Sequence, residues 1–209
     1  MRISATTLES FRLWRQPDQD WMPEAELIAT IEGKFTPNRN VLLGQAFGRV
    51  LEQPDAYRVK GGYRYGDFTF DDLTMREPLA LIRRDGVFEA KAIKHYGDLD
   101  VVSKADHLHG AVLSEFKTTT SSFNFEKYAE SCQWRYMVDA FEPAMVTYHV
   151  FELDDHENGA VFLRNINTFN LFPYAELHRD CETLLWEFVD YVTARGLAPL
   201  LRARQEAAA

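Results

Sequence analysis

The chain has 209 residues, of which 46% are hydrophobic and 13% aromatic, so it is long and apolar enough for one well-packed domain and too apolar for wholesale disorder. Its formal net charge of −9 excludes the overall basic field that most sequence-independent DNA binders carry, although a divalent metal and a local basic groove can offset such a charge. The two cysteines, Cys132 and Cys181, are too few for a four-thiolate metal or iron–sulfur site and are expected as reduced core residues. The N-terminus lacks the apolar run of a signal peptide and no stretch approaches about 18 apolar residues, so we expect a soluble, cytoplasmic protein.

Two helices are expected in the first third of the chain. Residues 4–15 begin with Ser and Thr caps ahead of spaced apolar residues, which is typical of a short helix. Residues 41–52 place apolar residues at mostly helical spacing, with Gly44 and Gly48 on one side, where they allow another element to approach closely. Residues 53–66 are rich in turn-forming residues and are expected to form an exposed loop.

Strands are expected from residue 79 to residue 118. An Asp-Gly pair at the end of LALIRRDG predicts a hairpin between the first two of them. A later Gly turn leads into the last strand. Because side chains alternate along a strand, Leu113, Glu115 and Lys117 are expected on one face of it.

A helix, a strand pair and a second helix are expected to follow. Residues 124–141 carry an apolar stripe at i, i+3, i+4 and i+7, which predicts one helix. Two strands are expected between residues 144 and 169, around a polar turn. A long amphipathic helix at 174–195 closes the fold, and the tail 196–209 is expected to fray.

The domain organisation is expected to be simple. No internal repeat, low-complexity tract or long Gly/Ser/Pro linker interrupts the chain, so the sequence predicts a single domain over residues 1–209, with its core at about 41–172. The order of the elements predicts a mixed α/β (α+β) fold, in which a central mixed β-sheet is flanked by helices.

The stretch 104–119 gathers the residue types that phosphodiester hydrolysis requires. Two strands joined by a tight turn bring Asp106 beside Glu115, with Lys117 on the same face as Glu115. Carboxylates hold Mg²⁺ or Mn²⁺, which lowers the pKa of a bound water and neutralises phosphate charge. A nearby lysine orients or deprotonates that water, or stabilises the developing negative charge. These are the residue types that a metal-dependent phosphodiester hydrolase uses, but most Glu and Lys pairs at this spacing lie on a solvated strand face, so the pattern alone is a weak signal.

Two stretches resemble a known nuclease family. ADHLHGAVLSEFKTT, followed by YAESCQWRYMVDAF, is similar to the RecB-like branch of the PD-(D/E)XK nucleases, and particularly to phage recombination exonucleases, over roughly residues 41–155. The resemblance implies a restriction-endonuclease-like core and a Mg²⁺-dependent deoxyribonuclease with one or two Mg²⁺ or Mn²⁺ ions. It also implies DNA as the partner, as duplex ends or single strands, in replication or recombination within the host cytoplasm if the protein is phage-encoded. A strand-annealing partner and a homo-oligomer are conceivable by analogy alone.

The resemblance implies a metal shell and a catalytic lysine in this sequence. Asp106 and Glu115 match the family's acidic metal ligands, and the Phe116 carbonyl matches a further ligand. Lys117 matches the catalytic lysine. Glu52 matches the acidic residue of the upstream helix that completes the metal shell.

Contacts with DNA are expected near the same site. Gln133 and Tyr136 match the family's Gln-and-Tyr helix motif, which implies contact with the DNA backbone near the cut. Thr118 and Thr119 either position phosphate through their hydroxyls or only form the turn. The chain departs from the family at Gly48, where many RecB-like nucleases carry a metal-binding histidine.

Other interpretations stay open from the sequence. Asp106 is either a ligand or a turn residue, and Glu115 with Lys117 is either a site or a cross-strand charge pair. Glu52 either completes the metal shell or only ends a helix. The alternatives to an exonuclease are a structure-selective or nicking endonuclease of the same superfamily, and a DNA-binding or assembly protein that kept the fold and lost the chemistry. Gly48 and the charge of −9 favour the last of these.

Overall fold

Helices dominate the first part of the chain. The computed structural model describes residues 1–16 and 22–201. Ser4, Asn38 and Asp71 each accept the backbone N–H of the residue three positions on, which caps the helix that each precedes. In chain order the elements are β1 (Arg2–Ser4), α1 (Ala5–Trp14), α2 (Glu24–Glu32), α3 (Arg39–Glu52), β2 (Arg58–Val59), β3 (Gly62–Tyr65), β4 (Phe68–Asp71) and α4 (Asp72–Leu81).

Long strands dominate the second part. In β6 every second residue from Leu99 to His107 is buried, so one face of this strand packs in the core, whereas residues 148–151 of β8 are all buried, so this strand is covered on both faces. The elements are β5 (Val87–Tyr96), β6 (Leu99–His109), β7 (Val112–Thr119), α5 (Phe125–Ala129), α6 (Gln133–Phe141), β8 (Met145–Asp155), β9 (Ala160–Leu171) and α7 (Leu177–Ala194).

The strands of the described residues form one nine-stranded mixed sheet. Its order is β1-β6-β7-β8-β9-β4-β3-β2, and β5 pairs with β6 outside this path. The pairs β1–β6, β7–β8 and β4–β9 are parallel, and the other pairs are antiparallel. This mixed sheet with flanking helices is the fold class that the sequence predicts.

One edge of β6 is shared between two partner strands. Residues 100–102 pair with β1, and residues 107–109 pair with β7. Within the described chain, the register therefore leaves residues 103–106 of β6 without a ladder partner on that edge. This separation of β6 from β7 is where Asp106 lies.

Helices cover the sheet on both faces. Apolar side chains of α1, α2, α6 and α7 form one buried cluster with residues such as Val101 and Leu113 of the sheet. Those of α3 and α4 form a second cluster with Phe151 and Leu153. The two clusters bury opposite sides of the same strands, so the core consists of two layers with the sheet between them.

The segment from residue 53 to residue 86 holds more regular structure than the sequence predicts. The expected loop 53–66 contains a 3₁₀ turn at Pro54–Tyr57 and the strands β2 and β3. The expected strand at LALIRRDG is wrong, because its first residues end α4. Pro78 lies inside this helix and interrupts the pattern from which a helix is recognised.

The later elements follow the sequence closely, with one break. The expected single helix 124–141 is two helices, α5 and α6, separated at residues 130–132. The strand pair β8–β9 and the helix α7 are confirmed. Residues 202–209 of the tail that was expected to fray lie outside the described residues, whereas Leu201 is buried in the first cluster.

Candidate active site

Glu115 and Lys117 lie side by side on one face of β7, as the strand alternation predicts. The Lys117 ammonium donates a hydrogen bond to Glu115 Oε1 at 2.7 Å. It also donates to the side-chain oxygen of Gln133, the first residue of α6, at 3.2 Å. Glu115 is buried, with 5% of its surface exposed, whereas Lys117 is partly exposed. The buried Glu115 carboxylate is therefore bonded to a lysine whose side chain is partly exposed to solvent.

Asp106 lies where β6 separates from β7. Its carboxylate Oδ2 accepts the backbone N–H of Phe116 at 2.7 Å. The side chain thus takes the place of the backbone carbonyl that would continue the ladder beyond His107 and Ser114. Asp106 is thereby fixed next to the Glu115–Lys117 pair rather than held only by a surface turn.

Burial and mutual charge set the ionisation of these three groups. Burial raises the pKa of Glu115 to about 7, and the negative charge of Asp106 adds to this, against the opposing effect of Lys117. Burial also raises the pKa of Asp106, although Lys117 and the Phe116 N–H oppose it. Burial works to lower the pKa of Lys117, but Glu115 and Asp106 outweigh it and raise that pKa. Lys117 is therefore a cation at neutral pH.

The candidate ligands are oxygen atoms, which are the type of donor that a hard divalent cation prefers. Glu115 Oε2 is buried and has no hydrogen-bond partner in the part of the chain that the structure describes. A buried, unpaired carboxylate oxygen is costly unless a ligand satisfies it, and oxygen donors are what Mg²⁺ prefers. However, among residues 1–16 and 22–201 no three acidic, histidine or cysteine side chains converge to hold a metal ion. The candidate ligands that lie together are Asp106 and Glu115, with the backbone of Phe116 between them.

A cavity of about 460 Å³ opens beside Asp106. Glu52, at the end of α3, lines it together with Asp106, and its negative charge contributes to the raised pKa of Asp106. The Glu52 carboxylate accepts a hydrogen bond from Arg49 at 2.9 Å. Glu52 thus faces the expected site, but in the described structure it is paired with an arginine instead of joining Asp106 and Glu115 in one cluster.

The two glycines of α3 shape this cavity. A Cβ built on Gly44 would lie 3.0 Å from the Thr118 hydroxyl, so Gly44 lets the helix approach β7 closely. A Cβ built on Gly48 would meet no described heavy atom within 4 Å, so Gly48 leaves open space. Thr118 lines the cavity, whereas the Thr119 hydroxyl bonds with Ser121 and ties the following turn.

The two residues of the expected Gln-and-Tyr motif have different surroundings. Gln133 accepts from Lys117, and its amide nitrogen donates to the Thr6 hydroxyl of α1 at 3.3 Å. Tyr136 is 1% exposed, and its hydroxyl donates to the backbone carbonyl of Cys181 in α7 at 2.7 Å. Its one polar side-chain atom is used inside the core, so Tyr136 packs α6 against α7, and its expected contact with DNA stays a prediction.

The cavity is also lined by two charged residues, Glu89 and Lys104, that the sequence analysis did not single out. Glu89 of β5 and Lys104 of β6 form an ion pair there. Lys104 is two residues before Asp106 on the same strand, so the alternation of side chains along β6 places both on one face and could have predicted the position of Lys104. Glu89 carried no such signal, because its position depends on how β5 pairs with β6 far along the chain.

Glu9 of α1 is another residue that the sequence did not single out. Its carboxylate accepts from Arg12 at 2.7 Å and from the backbone N–H of Cys132 at 2.7 Å. Cys132 directly precedes Gln133, so α1 holds the start of α6 at the point where α6 meets Lys117. A contact across more than a hundred residues leaves no local pattern in the sequence.

Comparisons with solved structures find proteins that share this fold. The chain is similar to an alkaline exonuclease, LHK-Exo, from Laribacter hongkongensis, with 14% identity and a TM-score of 0.50, over 99% of this chain and 93% of that one. It is also similar to the protein SSO0001, with 13% identity and a TM-score of 0.51, over 88% of this chain and 75% of that one. At these identities the similarity shows the fold alone, and it confirms the mixed sheet flanked by helices that the sequence predicts.

The comparisons with protein families and with curated proteins found no relative of this chain. No protein-family model matches the chain, and no curated protein matches it. None of the helices in the described residues is both long and apolar enough to span a bilayer.

Proposed function

We propose that this protein is a metal-dependent DNA exonuclease that hydrolyses phosphodiester bonds at the site formed by Asp106, Glu115 and Lys117. The observation that carries the proposal is the meeting of these three groups where β6 and β7 separate, beside an open cavity. The fold shared with an alkaline exonuclease supports a nuclease in general. The exonuclease activity, DNA as substrate, and a role in phage-type replication or recombination are the finer parts of the proposal.

A divalent cation such as Mg²⁺ or Mn²⁺ would be held by Asp106, Glu115 and the Phe116 carbonyl. The unpaired Glu115 Oε2 supports this assignment, because a cation would satisfy it. Glu52 would join only after leaving Arg49. The ion would supply neutralisation of phosphate charge and a lowered pKa for water.

The residues of the chain itself orient and stabilise the reacting phosphate. Glu115 and Asp106 keep Lys117 protonated. Its ammonium group therefore donates a hydrogen bond to a phosphate oxygen and stabilises the negative charge that develops there. Gln133 accepts from the same ammonium and restricts where it points. Lys117 therefore acts as an electrostatic stabiliser, and its raised pKa opposes a role as general base.

The test is cleavage of end-labelled linear duplex and single-stranded DNA with Mg²⁺. We expect wild type to release nucleotides from ends, and Lys117→Ala to lose at least about 100-fold in rate, since one charge-stabilising donor contributes about that much. Lys34→Ala removes an exposed lysine that pairs with Glu32 and is the charge-matched control. Absence of cleavage by wild type, or equal cleavage by Lys117→Ala, would refute the proposal.

Two alternatives are separated by the substrate and by metal binding. Cleavage of covalently closed circular DNA at rates equal to linear DNA would identify a structure-selective or nicking endonuclease instead. The second alternative is a DNA-binding or assembly protein without catalysis. The pairing of Glu52 with Arg49 and the open position at Gly48 favour it, because both deprive the metal shell of a ligand. Calorimetry with Mn²⁺ on wild type and Glu115→Ala separates this alternative from the proposed enzyme. Absence of Mn²⁺ binding by wild type would identify a protein without catalysis.

A further inference from the structure

Glu89 has an unusual backbone directly beside Asp106. Along β5 and β6, Phe88 pairs with His107 and Ala90 pairs with Ala105, so Glu89 lies opposite Asp106 without a regular pair. Its φ angle is +55°, in the left-handed region that side chains other than glycine rarely adopt. Such a conformation is costly and persists only where the surroundings impose it, commonly at functional sites. Here it accompanies a side chain that lines the cavity.

The partner of Glu89 is a cation of the same cavity. Lys104 pairs with Glu89, and about half of its side chain is exposed. The positive charge of Lys104 also acts to lower the pKa of Asp106, so it lies within electrostatic range of the candidate site. Arg49, the other cation that lines the cavity, pairs with Glu52. Both cations are thus neutralised by carboxylates in the protein without DNA.

We propose that Glu89 is a resident anion that holds Lys104 in the free protein, and that a backbone phosphate of the DNA displaces it and binds Lys104. This inference rests on the proposed function and adds to it a substrate-binding residue and its competitor. A phosphodiester carries one negative charge, as Glu89 does, so the exchange preserves the charge around Lys104.

The exchange predicts opposite signs for the two members of the pair. Removing the charge of Lys104 removes one phosphate contact, which weakens binding and lowers the salt dependence by about one released counterion. Removing the charge of Glu89 frees Lys104 and removes a repulsion, so binding becomes tighter. A merely structural ion pair would give loss, or no change, for both substitutions.

The experiment measures the affinity of the full-length chain for a labelled duplex oligonucleotide by fluorescence anisotropy, in EDTA so that nothing is cleaved. We expect Glu89→Gln to bind about threefold to fivefold tighter and Lys104→Gln to bind weaker by a similar factor, in the range of exposed charge pairs. The Glu89→Gln effect should shrink in the Lys104→Gln background, because it acts through Lys104. Lys104→Arg keeps the charge and should retain binding.

Matched controls separate this exchange from net charge. Glu32→Gln and Lys34→Gln make the same charge changes in an exposed pair outside the cavity. Unchanged or weaker binding by Glu89→Gln, or a gain no larger than that of Glu32→Gln, overturns the inference. If wild type cleaves DNA in a Lys117-dependent manner while these variants bind alike, only this inference fails. If wild type binds no DNA at any salt concentration, the proposed function fails with it.

Discussion

The carboxylate of Glu9 accepts the backbone N–H of Cys132 at 2.7 Å, and so joins α1 to the start of α6. The same carboxylate is bonded to Arg12 at 3.1 Å and 2.7 Å. The start of a helix carries free N–H groups and the positive end of its dipole, both of which stabilise an anion. Because Gln133 follows Cys132 and contacts Lys117, this bond fixes one side of the candidate site.

Glu9→Gln should destabilise the fold at neutral pH by about 1–2 kcal/mol, because Arg12 and the Cys132 N–H lose their anionic acceptor. Burial works to raise the pKa of Glu9, but the bonds to Arg12 and the Cys132 N–H outweigh it, so the pKa lies below its ordinary value. A carboxyl group with a lowered pKa stabilises the folded state above its unfolded pKa, and this contribution is lost as pH falls through the folded value. Urea unfolding should therefore show a difference from wild type that narrows as the pH falls below about 4.3, the ordinary pKa of a glutamate.

The control for Glu9 is Glu187→Gln, which neutralises a carboxylate in an exposed ion pair with Arg15. Its effect should stay below about 0.5 kcal/mol, as for other exposed pairs. Equal losses in both variants, or a Glu9→Gln loss that is unchanged in acid, would contradict the assigned role of Glu9.

The sequence predicts best those elements whose pattern is local. The helix α3, the strand pair β8–β9 and the helix α7 each bury one regular set of apolar residues, and their periodicity marks them. The helix α4 was missed because Pro78 interrupts its pattern. The break between α5 and α6 was missed because distant Glu9 and nearby Ser131 satisfy the N–H groups there.

The candidate site divides in the same way. Asp106, Glu115 and Lys117 lie on two strands joined by a tight turn, so their proximity follows from short-range geometry. Glu89 lies opposite Asp106 only through the register of β5, which the sequence does not specify by itself. Tyr136 was assigned to DNA by its motif, but its burial against α7 depends on packing between elements far apart in the chain.

Gly48→Ala should stabilise the protein by about 0.5–1 kcal/mol, because alanine replaces glycine inside α3 and the added methyl group meets no described atom within 4 Å. Gly44→Ala is the matched comparison in the same helix. Its methyl group would lie 3.0 Å from the Thr118 hydroxyl, so steric crowding offsets the gain. Urea midpoints of the two variants test this. An equal gain at both positions would contradict the close approach of α3 to β7.

Glu115→Gln should remove stabilisation by divalent cations. With Ca²⁺ at about 100 times its dissociation constant, we expect wild type to gain about 2.7 kcal/mol, which corresponds to a rise in Tm of roughly 5–10 °C for a domain of this size. Glu115→Gln should show little of this rise.

The control for the metal experiment is Glu32→Gln, whose carboxylate pairs with Lys34 on the surface. It should keep the full shift in Tm on addition of Ca²⁺. A shift in Glu115→Gln as large as that of wild type would place the ion elsewhere, and the assignment of Glu115 as a ligand would then be wrong.

Tyr136→Phe should cost about 0.5–1.5 kcal/mol of stability, because it deletes a buried hydroxyl that donates to the Cys181 carbonyl. Below the unfolding temperature, DNA affinity and cleavage should equal those of wild type, since the hydroxyl does not reach the surface. Tyr174→Phe removes a hydroxyl bonded to the exposed Asp180 and should cost less. A Tyr136→Phe variant with unchanged urea midpoint and weakened DNA binding would restore the motif-based role of Tyr136, whereas the expected result separates it from Gln133, whose amide touches Lys117 directly.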